Sequence, residues 1–176
     1  MKFRPRLIIL LGVLLCLCVF AYLNWDILGN QVVVQRFDKE FPISEGQIYD
    51  YLWSNFANKP EEERFATLTT EDWQDRFHQY ERHLITKARW KLLDSASLKS
   101  CLAEVFKDAQ TTNAGLAYLP VGAYATRQGE TPVWIIVVKW ETAGPIAEGE
   151  YLELVHARMF AFDAQNIKRI GFVTCM

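Results

Sequence analysis

The stretch that decides the fold is VWIIVVKWE, residues 133–141. Trp134, Ile136, Val138 and Trp140 recur at every second position and therefore share one face of a predicted strand. Three further runs predict strands on either side of it, at residues 116–126, 151–163 and 167–175. Short turns connect these runs, so the sequence predicts an antiparallel β-meander of about four strands.

Three amphipathic helices are predicted ahead of the strands. The first begins at Ser44, where Ser44 and Gln47 form a capping-box pattern, and it ends near Pro60. The second begins at Thr69 or Thr70 and carries an apolar stripe at helical spacing. The third covers about residues 97–109 and is apolar along one side.

Helices followed by a meander predict an α+β domain whose helices pack on one face of the sheet. This element order resembles that of the cone-shaped NTF2-like domains and of cystatin-like domains, and the resemblance rests on the order alone. The predicted domain is 44–176, joined by a connector, 27–43. Within the connector, Val32-Val33-Val34 fits either a short strand or a continuation of the preceding helix.

The N-terminal segment predicts a membrane anchor. Residues 7–23, LIILLGVLLCLCVFAYL, carry no charge, and with Tyr22 and Trp25 at the interface they predict a transmembrane helix over 7–25 in contact with lipid. The positive charges precede it, so the N-terminus is expected in the cytoplasm and the domain in the periplasm or outside the cell. Residues 1–26 are thus predicted to be a cytoplasmic N-terminus and signal anchor.

This segment has two other interpretations. Val19-Phe20-Ala21 fits a mediocre cleavage site, so a cleaved signal peptide is the alternative to an anchor. Cys16 and Cys18 suggest a lipoprotein, but Leu15 and Leu17 precede them where a small residue is usual. Under the anchor and signal-peptide readings alike, the domain is exported.

The charge of the exported part argues against nucleic acid as a partner. Setting aside the three basic residues and one acidic residue of 1–26 leaves 16 basic and 20 acidic residues, a net charge of −4. No basic stripe interleaved with aromatic residues occurs there, although a phosphate-binding surface requires one.

Cys101 and Cys175 are the two cysteines of the exported domain. An even pair in an oxidising compartment predicts a disulfide between them. The alternative is two buried free thiols, since Cys101 lies on an apolar helix face. A Cys-x-x-Cys redox motif is absent from the sequence.

His156 and Arg158 are the polar residues most suggestive of a site. By strand alternation they share a face with Phe160 and Phe162, so they are candidates for lining a pocket between sheet and helices. The alternative is that they are satisfied polar groups at the sheet rim. His78 and His83 are five residues apart, which does not suit a shared metal ion on a helix.

No motif predicts catalysis, a cofactor or a metal. None of the serines lies in a Gly-x-Ser-x-Gly pattern, and glycine-rich phosphate loops are missing. The sequence therefore favours a membrane-anchored accessory subunit that binds another membrane or envelope protein. A tethered small-ligand or sensor domain is the alternative, and a hydrolase is less favoured.

Overall fold

The computed structural model describes residues 13–15, 32–56, 64–65, 69–112, 116–142, 144–145 and 147–175. The chain divides into two compact units, Met1–Asn30 and Gln31–Met176. Residues 13–15 are helical, but the rest of the predicted span 7–25 lies outside the described residues. In the part of the chain that is described, no helix is long and apolar enough to cross a membrane.

The second unit contains three helices and seven strands within its described residues. The helices are α1 (Glu45–Phe56), α2 (Thr70–Trp90) and α3 (Ser95–Thr112). The strands are β1 (Val33–Arg36), β2 (Arg64–Phe65), β3 (Leu116–Gln128), β4 (Thr131–Thr142), β5 (Leu152–Glu153), β6 (His156–Asp163) and β7 (Lys168–Cys175). The α+β class and the three helices agree with the prediction.

The main sheet has five strands in the order β1-β3-β4-β6-β7. Strands β3, β4, β6 and β7 form the predicted antiparallel meander. The valine run, which fitted either a strand or a helix, contributes to β1. This strand pairs parallel to β3 and makes the sheet mixed. The predicted strand over 151–163 is divided in two, because its first part, β5, pairs with β2 in a separate two-stranded ribbon.

The helices cover both faces of the sheet, so the prediction that they pack on one face is wrong. Strand β4 is buried at seven consecutive residues, Val133–Lys139. On one face, Trp134 Nε1 donates to Ser97 Oγ of α3 at 2.9 Å. On the other, Tyr124 of β3 lies 4.7 Å from Phe56 of α1, centroid to centroid. The prediction considered one apolar face of β4, whereas Ile135 and Val137 on the other face also require cover.

Helix α2 begins and ends with defined backbone motifs. Thr69 and Asp72 form a capping box, in which Asp72 N–H donates to Thr69 Oγ1 and Asp72 Oδ2 accepts from Thr69 N–H. This confirms the predicted start. The helix ends in a Schellman motif, with Leu93 N–H donating to Ala88 C=O and Leu92 N–H to Arg89 C=O, both at 3.0 Å. Leu92 is therefore in the left-handed region, at φ 54°.

Helix α1 approaches β7 closely at Gly171. A methyl group added there would lie 2.8 Å from Ile48 Cγ2 and 3.3 Å from both Phe41 Cζ and Ala161 Cβ. These neighbours are themselves buried. The missing side chain thus sets how tightly α1 packs on its face of the sheet.

Gly171→Ala should lower the free energy of unfolding by about 1–3 kcal/mol, because the added methyl overpacks a filled site. Gly144→Ala is the matched control, since the same methyl there meets nothing within 4 Å. Urea unfolding of both variants measures the difference. Equal stabilities would contradict the close packing of α1.

Candidate functional site

The most chemically distinctive group of side chains surrounds Arg158 at one end of the sheet. Its guanidinium carbon lies 5.0 Å from the ring centroid of Tyr118 and 4.7 Å from that of Trp140. Its Nη1 donates to the Tyr118 hydroxyl. Strands β3, β4 and β6 each supply one of the three side chains, so the sheet register holds the cation between two rings.

His156 extends this stack. Its ring lies 4.8 Å from the Trp140 ring, and its Nε2 lies 3.4 Å from Glu141 Oε2. The side chains of His156 and Glu141 are 30% and 23% exposed. The Arg158 cluster (Tyr118, Trp140, His156 and Arg158) therefore reaches from the buried sheet face to its rim.

The structure brings the two predicted pocket residues together. Arg158 pairs with Val138 and His156 with Trp140, which places both on the same face as Phe160. They are stacked through Trp140, and each contacts an aromatic ring directly. That they line a ligand pocket remains a prediction.

Three buried N–H groups near the cluster lack hydrogen-bond partners among the described residues. They are Trp73 Nε1, Trp140 Nε1 and Arg158 Nε. The ring centroid of Trp73, on α2, lies 6.1 Å from the ring centroid of Tyr118. Burial raises the pKa of Tyr118, and the neighbouring Arg158 opposes that rise. The region is thus rich in donors, which suits an acceptor group better than nucleophilic chemistry.

A cleft of about 550 Å³ lies between the end of β1, the α2–α3 connection and the β3–β4 hairpin. Its charged wall residues are of both signs: Arg36, Asp38, Glu40, Asp94 and Arg127. Two of the acids are already engaged. Glu40 Oε1 accepts from Gly129 N–H at 2.7 Å, and Asp94 Oδ1 accepts from the Ala96 and Ser97 amides at 3.1 Å.

Asp94 caps helix α3, and Glu40 holds the β3–β4 turn. Because Asp94 accepts these hydrogen bonds at the start of α3, its pKa lies below the usual value, with the Ser97 amide as the main cause. Ser97 itself donates from Oγ to Asp94 C=O and accepts from Trp134. These groups hold α3 in place, so the arrangement does not present a nucleophile with its base.

Cys101 is fully buried and is a free thiol in the structure, which differs from the predicted disulfide. Cys175 pairs with Ala157 at one end of β6, and its side chain lies outside the described residues. The charge of Asp163, at the other end of β6, acts on Cys101. Those two ends are about 20 Å apart at the rise of a strand, whereas disulfide Cα atoms are within about 7 Å.

The other histidines lie apart from the Arg158 cluster. His78 is exposed and its Nδ1 is 2.9 Å from Glu81 Oε2, while His83 is buried. Among the described residues, no three histidine, cysteine or acidic side chains are grouped so that they could hold a metal ion.

Sequence reasoning missed Tyr118 as a neighbour of Arg158, and Trp73 as a neighbour of Tyr118. A uniform register from the β3–β4 turn would place Tyr118 opposite Glu141, on the other face. The irregularity between Pro120 and Gly122 shifts the register by one residue and brings Tyr118 opposite Trp140. Pro120 and Gly122 are the visible signals of that shift.

Tyr118→Phe should destabilise the protein by about 1–2 kcal/mol, because it leaves Arg158 Nη1 without its acceptor. The same substitution in an Arg158→Met background should cost much less, since the donor is then absent. Denaturant unfolding of the four proteins forms a double-mutant cycle. Additive effects would contradict the pairing of the two side chains.

Cys101 should resist alkylation in the folded protein. Burial, with help from Asp94, raises the pKa of its thiol to about 12, so the reactive thiolate is nearly absent at neutral pH. Mass mapping after iodoacetamide treatment, with and without denaturant, measures the protection. Rapid native labelling at Cys101, or a bridge found to Cys175, would contradict the buried free thiol.

Comparison with known proteins gives no relative from which a role could be transferred: no family model, no curated protein and no solved structure matches the chain. The case for function rests on the surfaces of the domain itself.

Proposed function

We propose that the chain is a membrane-tethered, non-enzymatic subunit that binds another membrane or envelope protein through the outer side of α1. The observation that carries the proposal is an exposed aromatic pair. The rings of Tyr49 and Trp53 stack at 5.8 Å with an interplanar angle of 13°. They are 52% and 43% exposed.

The inner side of α1 already meets the needs of the fold. Ile48, Leu52 and Phe56 are buried against the sheet. Tyr49 and Trp53 are therefore large apolar groups that the core does not use fully. Tyrosine and tryptophan are enriched among the residues that dominate binding energy at protein interfaces.

The charge around the pair indicates the kind of partner. Glu45 and Asp50 are exposed on the same helix, and residues 45–56 contain no lysine or arginine. A complementary surface would combine an apolar recess for the rings with a basic rim. The predicted anchor over 7–25 supports the proposal, because it confines the domain to the membrane surface and raises its effective concentration for such a neighbour.

Ligand binding is the second candidate, favoured by the cleft at Asp94. Its volume of about 550 Å³ is within the usual range for small-molecule sites. Its engaged acids favour a structural role, so we place this candidate behind partner binding. A hydrolase remains the third and least favoured reading.

A photo-crosslinking amino acid at position 53 of the full-length protein should capture one specific protein in native membranes. The same amino acid at Lys99, an exposed position of α3, is the control. Trp53→Ala should abolish cellular function with little change in the unfolding transition, because 43% of Trp53 is exposed and the buried side of α1 is formed by other residues. Full function of a Tyr49→Ala/Trp53→Ala variant would refute partner binding through α1.

A further inference from the structure

Leu92 lies at a position where a leucine strains the backbone. It is the residue after the C-cap of the Schellman motif that ends α2, at φ 54°, where glycine is usual because a Cβ is strained there. The side chain is 91% exposed. Packing within the domain therefore does not compensate for the strain, and a role outside the domain is indicated.

The neighbours of Leu92 are aromatic and basic. Trp90 is 45% exposed, and the last turn of α2 contains Lys87 and Arg89, followed by Lys91. These five residues, 87 and 89–92, are called the α2 terminal patch. The patch concentrates positive charge on a domain whose net charge is negative. The first acid after it, Asp94, is directed to the amides at the start of α3.

The charges of the patch lie close enough to affect one another. Burial lowers the pKa of Lys87, and the positive charge of Lys91 lowers it further. Lys87 Nζ also donates to Val32 C=O at 2.9 Å. This contact joins the patch to Val32, the residue directly before β1. Towards the N-terminus, the chain continues from Val32 to the predicted anchor.

The length of that connection limits the distance to the membrane. Trp25, at the end of the predicted span, and Val32 are separated by seven Cα–Cα steps, which reach at most about 25 Å. Charge attraction to headgroups is screened over about 8 Å at physiological ionic strength. A connection of this length permits the basic residues to reach that range.

We propose that the α2 terminal patch docks on the anionic lipid surface of the membrane, with Arg89 and Lys91 at the headgroups and Trp90 and Leu92 entering the interface. Basic residues beside exposed Trp and Leu are the combination that binds membrane interfaces. The inference rests on the tether of the proposed function. It leaves α1 available, because α1 and α2 cover opposite faces of the sheet.

The test uses the full-length protein with a photo-crosslinking amino acid in place of Leu92. The protein is reconstituted in nanodiscs of phosphatidylcholine alone, or of phosphatidylcholine mixed equally with phosphatidylglycerol. Lipid adducts at position 92 are quantified by mass spectrometry. We expect at least about tenfold more adduct in the anionic discs, because two exposed basic residues, Arg89 and Lys91, lie in the patch.

Charge-reversal variants test whether the patch itself, and not positive charge elsewhere on the domain, produces the preference for anionic lipid. Arg89→Glu/Lys91→Glu should remove the anionic preference, whereas Lys99→Glu/Lys107→Glu, on exposed positions of α3, should retain it. Leu92→Gly should keep or raise the melting temperature. A lower melting temperature would mean that Leu92 serves the fold, and it would overturn the argument.

The products also distinguish this inference from the proposed function. Lipid adducts at position 92 without protein adducts at position 53 would retain the docking and reject partner binding. Protein adducts at position 53 without lipid adducts at position 92 would retain partner binding and reject lipid docking. Adducts at 92 to a second copy or to another protein, or equal lipid yields in both kinds of disc, would overturn lipid docking.

Discussion

Burial of β4 on both faces is the constraint on which the other elements depend. Seven consecutive residues, Val133–Lys139, are removed from solvent. No antiparallel sheet achieves this alone, so each face needs its own cover. Helices α2 and α3 supply one layer and α1 the other.

The sequence predicted the elements that depend on local interactions and did not predict those that depend on distant ones. Caps act locally, so the start of α2 at Thr69 could be predicted from four residues. The meander followed from short turns between apolar runs. The position of β1 could not be predicted, since Val33–Arg36 pairs with residues about ninety positions away, and the run of three valines fits a strand or a helix equally well.

The Arg158 cluster was predictable only in part, for a reason that lies in one strand. Alternation places His156 and Arg158 on one face from sequence alone. Tyr118 and Tyr124 are six residues apart, and uniform alternation would place them together. The irregularity near Pro120 instead directs Tyr124 to Phe56 of α1 and Tyr118 to Arg158. A single extra residue thus decides which tyrosine meets the cation.

The core also explains why function has to be sought on the surface. Its buried Ser97 joins α3 to Trp134, and Asp94 caps the exposed start of the same helix, so both groups serve the fold. A group committed to a buried hydrogen bond cannot be released for chemistry without the cost of leaving its partner unsatisfied. Tyr49, Trp53 and Leu92 differ, because they are large, apolar and exposed. Removing them from water would cost the domain no internal contact, so they are the residues best placed to gain from binding something outside it.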